Sequence, residues 1–236
     1  MIEGKRYIVT GSSRGIGLAI ARGIVGRGGL VVGLSRDAGG LEGHPAFRFL
    51  PCDFSRLDAL ERMLKSLKKE LGRIDGLILN AGYGQFGGLE TFSAGQIRRL
   101  VDVNLTSQML VTQALLPLLK RQQQGDVVLI GSEAARRGGR KGAVYAATKF
   151  ALRGFAQSLR EECAGAGVRV TLVNPGMVRS DFFAGQDFRP SSAAGCHLLP
   201  DDVADAVLFV LERRAGVCFD EIDLSPQKKV IEFGGG

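Results

Sequence analysis

Short runs rich in Val, Ile and Leu alternate with longer amphipathic stretches from one end of this chain to the other. The short runs cover residues 7–10, 30–35, 46–51, 76–79, 126–131, 168–173 and 217–224. Their near-continuous apolar character suits strands covered on both faces, as in a parallel sheet. Between them, apolar residues recurring about every 3.6 positions predict helices over 15–26, 56–71, 94–119, 143–164 and 200–213. In the last of these, Asp201 and Asp202 occupy the first turn while Arg213 and Arg214 sit at the far end, the signs a helix dipole favours. Strands alternating with helices imply right-handed crossovers within one sheet. The expected fold is therefore α/β: a single doubly wound domain over residues 1–236, with an about seven-stranded parallel sheet and helices on both faces. No internal repeat or linker interrupts it.

A chain of 236 residues with 45% hydrophobic and 23% charged residues can build a core of ordinary size without disulfides or metal staples. No window reaches the ~18 uninterrupted apolar residues of a membrane span, and residues 1–9 lack the shape of a signal peptide. Cys52, Cys163, Cys196 and Cys218 are scattered, with no CxxC pair, and read as reduced thiols; no metal site is expected. The expected compartment is the cytoplasm. The formal net charge of +7 raises the question of nucleic acid. Yet most basic residues stand singly on amphipathic stretches, and only Arg136, Arg137, Arg140 and Lys141 form a dense group. Neither a nucleic-acid partner nor a membrane is expected.

The first strand runs into Thr10-Gly11-Ser12-Ser13-Arg14-Gly15-Ile16-Gly17 and then a helix. Glycines at a strand-to-helix turn let the backbone approach a pyrophosphate, whose charge the helix N-terminus favours. A tight turn needs no ligand, and the chain has 34 glycines, but the position after the first buried strand points to a Rossmann-like dinucleotide site. The second strand ends in Ser35-Arg36-Asp37, where such a fold reads the adenosine ribose. An acid there would favour NAD and repel a 2′-phosphate. Ser35 followed by Arg36, with Arg14 on the adjacent turn, favours NADP(H). Two surface arginines, or Asp37 in the acidic role, are the alternatives.

The fifth strand ends at Gly131-Ser132, and thirteen positions later comes Tyr145-Ala146-Ala147-Thr148-Lys149 on a helix. The i, i+4 spacing places Tyr145 and Lys149 on one helical face. A free tyrosine has a pKa near ~10, and a neighbouring ammonium favours the phenolate. Tyr145 can then move a proton, with Ser132 orienting the carbonyl oxygen that takes it. A Tyr-x-x-x-Lys pair alone is most often a surface feature; the serine and the glycine turn make it more.

With these parts, the sequence resembles the classical short-chain dehydrogenase/reductases over nearly its whole length. The resemblance rests on the Thr10–Gly17 turn, Asp53, Asn80-Ala81-Gly82, Asn104, Ser132, Tyr145, Lys149 and Pro175-Gly176, all in family order. It implies a nicotinamide-linked oxidoreductase acting on a carbonyl or alcohol, a carbonyl reductase in the broad sense, and Ser35, Arg36 and Arg14 make the expected cofactor NADP(H). Asn104, Ser132, Tyr145 and Lys149 would be its catalytic residues. By the same resemblance Asp53, with Phe54 beside it, contacts the adenine, and Asn80, Ala81 and Gly82 support the turn and the cofactor. Asn104 would hold a water that connects Lys149 to solvent. Pro175-Gly176-Met177-Val178 would pass beside the nicotinamide carboxamide, with Ser180 where the family usually has Thr. Gly11, Ser12, Ser13, Arg14, Gly15, Ile16, Gly17 and Arg36 would complete the cofactor contacts, together with Tyr145 and Lys149. A homo-oligomer, dimer or tetramer, is implied as well.

Two departures stand out. The stretch Phe219–Leu224 followed by Ser225-Pro226 lacks the Gly-Gly element that closes many members, and residues 179–199, where the family has its substrate lid, are compact and irregular. Phe182, Phe183 and Phe188 could line an apolar pocket there or form the loop's own small core. A cofactor-binding regulator without turnover is the alternative from another functional class. The basic group at 136–141 falls between Ser132 and Tyr145, where it could steer an acidic substrate or simply solubilise the loop.

Overall fold

A computed structural model describes residues 1–234; the two final glycines of the expected 1–236 domain lie outside the described residues. Seven parallel strands form one sheet in the order β3-β2-β1-β4-β5-β6-β8. They are β1 (Arg6–Thr10), β2 (Leu30–Ser35), β3 (Phe47–Pro51), β4 (Gly76–Leu79), β5 (Gly125–Ile130), β6 (Val168–Pro175) and β8 (Glu221–Leu224). Five helices expected from apolar periodicity are present as six: α1 (Gly15–Val25), α2 (Leu57–Leu71), α3 (Ala94–Val101), α4 (Ser107–Gln122), α5 (Ala143–Ala164) and α6 (Pro200–Leu211).

Alternate residues of each strand point to opposite faces, and each face meets its own helices. On one side Ile8, Leu77, Val127 and Leu129 pack with Leu60 and Leu64 of α2, Val111 and Leu115 of α4 and Leu152 of α5. On the other, Val9, Ile78, Val128 and Val173 pack with Ile20 and Ile24 of α1 and Val203 and Val207 of α6. The α1–α6 contact is close: a Cβ on Gly23 would stand 2.5 Å from Leu208 Cδ1. Strand order reverses between β1 and β4, so the connections that leave their carboxyl ends, after Thr10 and Leu79, lead to helices on opposite faces and open the crevice where doubly wound sheets bind ligands.

Three departures from the sequence-based expectation have physical causes. The stretch expected as one helix over 94–119 is broken by a π turn, Asp102–Thr106, and α4 then runs on to Gln122, where Gln123 turns left-handed at φ 52°. Such turns widen a helix to re-aim a side chain, and Asn104 lies inside this one. The last parallel strand begins at Glu221 rather than 217. Upstream, the Arg169 guanidinium takes the carbonyls of Arg213 and Val217 at 3.1 and 3.3 Å, which draws that backbone away from the ladder. Finally, the segment 179–199 is not wholly irregular. It carries a 3-10 turn, Asp181–Phe183, and a strand β7 (Phe188–Pro190) that pairs antiparallel with β9 (Ile231–Phe233) in the tail.

Candidate active site

Thr10 ends β1 with its hydroxyl buried, and that oxygen accepts the backbone N–H groups of Asn80 and Ala81, both at 2.9 Å. Asn80 returns the contact, its Nδ2 donating to the carbonyls of Thr10 and Gly11 at 3.0 and 3.2 Å. The ends of β1 and β4 are thereby cross-braced. Gly17 packs so tightly beneath the turn that a Cβ would meet Gly11 O at 2.1 Å, and Gly11 itself needs φ +68°. These two glycines serve the tight turn and the helix–strand packing. Gln108, which the sequence reading missed, completes the brace: buried on α4, it donates to Ala81 O at 2.8 Å.

The first turn of α1 has no side-chain cap from Arg14 and no acid within it, so its backbone N–H groups keep their affinity for an anion. Ser13, Arg14, Gly15 and Ile16 line a cavity of about 750 Å³ that runs along the carboxyl ends of the strands. Ser35 and Arg36 line it too, whereas Asp37, exposed, is outside its lining. Ser35 is buried and committed: its hydroxyl donates to Asp37 O at 2.7 Å and lies 3.2 Å from Ser12 Oγ. Asp53 and Phe54 form the wall beside them. Burial alone would raise the Asp53 carboxyl, but hydrogen bonds from Ser55 and the nearby Arg99 and Arg36 hold it below its ordinary value. Uncapped donors, a recessed glycine turn and a cationic rim in one long cavity fit a phosphate-bearing dinucleotide.

Further along the cavity, Ser132, Tyr145 and Lys149 come together as the sequence predicted. Tyr145 and Lys149, one turn apart on α5, are both buried. Burial pushes the Tyr145 phenol up to about 12, partly opposed by a hydrogen bond with Ser132, while the Glu133 carboxylate adds to the rise. Burial also lowers the Lys149 ammonium to about 8. This differs from the expected electrostatics: in the protein alone, burial sets the phenol's direction, and Ser132, not Lys149, is the group that opposes it. The Lys149 Nζ donates to Ile130 O at 2.9 Å and lies 5.9 Å from the Tyr145 ring centre. Ser132 is placed from behind by Asn174, also absent from the sequence reading, whose Oδ1 accepts the Ser132 N–H at 3.3 Å.

Asn104 is brought to the same region but its side chain is already occupied. Its Oδ1 accepts the Tyr83 N–H at 3.0 Å, and its Nδ2 donates to Tyr83 O at 2.9 Å and approaches Thr148 Oγ1 at 3.4 Å. It clamps the segment after Gly82, whose Cβ position would lie 3.2 Å from Asn104 Oδ1. Beyond Pro175, Gly176 N donates to Leu224 O at 2.7 Å, and Gly176, Val178 and Ser180 continue the cavity wall. Phe182, Phe183 and Phe188 line the cavity and also pack on one another, so both roles considered for them are present. Phe86 joins them; its ring stands 5.2 Å from that of Tyr145.

The family model described as short chain dehydrogenase matches residues 5–188. The chain belongs to the short-chain dehydrogenase family. Among similar relatives of this short-chain dehydrogenase is an uncharacterized oxidoreductase of Staphylococcus epidermidis, 31% identical over 231 residues, covering 95% of this chain and 98% of the relative. A 3-oxoacyl-[acyl-carrier-protein] reductase of Vibrio cholerae is 30% identical, with 91% and 92% of the two chains covered. Among solved structures, an alcohol dehydrogenase from the archaeon Thermococcus sibiricus complexed with 5-hydroxy-NADP superposes with a TM-score of 0.85 at 28% identity, covering 97% of this chain and 99% of that one. A 3-ketoacyl-(acyl-carrier-protein) reductase from Brucella melitensis complexed with NADH gives the same TM-score at 26% identity, covering 98% and 100%. This short-chain dehydrogenase is thus an oxidoreductase of a family whose members bind NAD(P)(H). No helix in the described residues is long and apolar enough to cross a membrane.

Proposed function

We propose that the protein is an NADP(H)-dependent carbonyl reductase or alcohol dehydrogenase with Tyr145 as its acid/base. The observation that carries this reading is the buried Tyr145 phenol, in contact with Ser132 and one helical turn from Lys149, on the wall of the same cavity as the uncapped start of α1. The N–H groups of Gly15 and Ile16 and the Ser13 side chain would hold the pyrophosphate, and Asp53 the adenine. Arg36 and Arg14 would take the 2′-phosphate. That Arg36 lines the cavity while Asp37 does not favours NADP(H) over NAD.

A bound nicotinamide supplies the hydride that converts the carbonyl carbon to an alcohol. A phenol raised to about 12 stays protonated near neutrality and is suited to giving its proton to the carbonyl oxygen as the C=O π bond breaks. The Ser132 hydroxyl accepts the Ala134 N–H at 3.1 Å, and its own proton, given to the Tyr145 oxygen in the protein alone, would turn to orient the carbonyl oxygen when substrate binds. Tyr145 recovers its proton from solvent by way of Lys149. Because the Asn104 side chain is occupied, a water serving that relay would rest on its backbone carbonyl. Residues 179–199 act as a lid over the cavity. Spectrophotometric assays with NADPH and NADH over aldehydes and ketones test the reading: oxidation of NADPH is expected. Binding of either cofactor with no turnover of any carbonyl compound would favour the regulator reading instead.

A further inference from the structure

The two ends of the cavity differ in chemistry. Among the described residues, its lining cations are Arg14, Arg36, Arg99 and Lys149. The first three belong to the nucleotide end: Arg36 and Arg99 both act on Asp53, and Arg14 sits on the glycine turn. Lys149 is buried behind Tyr145 and bonded to Ile130 O.

At the Tyr145 end the wall is aromatic. The Phe86 and Phe182 rings stand 5.2 and 5.8 Å from the Tyr145 ring, and Phe188 stands 5.0 Å from Phe86. The rings are held in place by backbone: a Cβ on Gly84 would come within 2.6 Å of both Phe86 and Phe182, and Phe188 opens the strand that β9 pins. The charged side chains at this end besides Lys149 are acids, Glu133 and Asp181, with Glu133 paired from outside the cavity by Lys229. The basic group at 136–141 does not supply cations here. Arg136 pairs with Asp223, Lys141 pairs with Asp187 at 3.0 Å, and none of the four basic side chains lines the cavity.

Resting on the carbonyl-reductase reading, we propose that the substrate is a neutral carbonyl compound with an aryl or branched apolar substituent seated against Phe86, Phe182 and Phe188. A carboxylate placed there would lose its hydration, meet no free cation and face Asp181, whereas an apolar ring replaces water with aromatic surface. The steering of acidic substrates by the 136–141 group is correspondingly set aside.

The test compares methyl 4-formylbenzoate with 4-formylbenzoate at pH 7, using NADPH. The ester should show kcat/KM higher by roughly tenfold or more. Phe86→Ala and Phe182→Ala should each lower the ester-to-propanal ratio of kcat/KM by about fivefold. Equal or better use of the carboxylate, or an unchanged ratio in both variants, overturns the proposal. If no carbonyl compound is turned over with either cofactor, the reductase reading itself fails. Titration calorimetry with the two corresponding benzylic alcohols then decides the pocket separately: binding of the ester alone retains the neutral apolar site, and equal binding of both, or of neither, overturns it.

Discussion

Lys149 donates its Nζ to the main-chain oxygen of Ile130 at 2.9 Å, so the ammonium nearest Tyr145 is anchored to the end of a strand before any ligand arrives. The lysine's position is thus fixed by the sheet, while its charge is weakened by burial. The two effects can be separated by experiment.

Tyr145→Phe removes one hydroxyl and keeps the ring among Phe86 and Phe182. Turnover should fall by about 100-fold or more while cofactor affinity is retained. Steady-state kinetics paired with cofactor titration checks both halves; near-full activity would assign the proton to another group.

Lys149→Met should change how stability depends on pH. Burial lowers the Lys149 ammonium from 10.5 to about 8 in the folded protein. Below pH 8 both folded and unfolded states hold the proton, and the folded state bears the full cost of the buried charge. Between 8 and 10.5 only the unfolded state still binds it, so wild-type stability rises with pH. Relative to Lys149→Met, the wild type should gain about 2 kcal/mol from pH 8 to pH 10. Denaturant midpoints at the two pH values measure this, and a pH-independent difference would refute it.

Arg36→Ala should weaken NADP binding by roughly tenfold or more and leave NAD binding almost unchanged, since a charge-assisted contact is worth ~1.5–3 kcal/mol. Arg36 lines the cavity while the neighbouring Asp37 does not. Equal losses for both cofactors in calorimetry would place the arginine outside the phosphate contact.

Two glycine substitutions should have opposite signs. Gly17→Ala puts a methyl 2.1 Å from Gly11 O and 2.5 Å from Asn80 Nδ2, and should cost about 1–3 kcal/mol along with dinucleotide binding. Gly154, inside α5, has nothing within 4 Å of its Cβ position. Gly154→Ala should stabilise by about 0.5–1 kcal/mol through helix propensity alone. Thermal unfolding compares the two directly.

The elements that could be read in the sequence are those with local signals. Strand runs such as Leu30–Ser35 and the α5 periodicity agree with the structure, as does the convergence of Ser132, Tyr145 and Lys149 on one cavity. Gln108 and Asn174 were not legible because their partners are remote: Gln108 bonds Ala81, 27 positions away, and Asn174 receives Ser132, 42 positions away. Phe86 lies in a glycine-rich stretch with no periodicity to mark it as a wall of the site. Strands β7 and β9 span three residues each, too short for alternation to register, and their pairing is a contact between distant segments. The π turn at Asp102–Thr106 was hidden because one inserted residue shifts helical periodicity too little to see in a single sequence.

The β7–β9 ladder ties the segment 179–199, proposed above as the lid, to the tail as a single inheritable unit. Ser191 N bonds Val230 O and Gly234 N bonds Asp187 O, so the backbone that carries Phe188 takes its course from residues some forty positions downstream. A lid transplanted into this protein from a relative would arrive without the strand it was shaped against, and register, not side-chain chemistry, would be its first failure. Chimeras intended to alter substrate choice should therefore exchange residues 179–199 and 226–234 together, and lineages that diverge in one segment are expected to carry matched changes in the other.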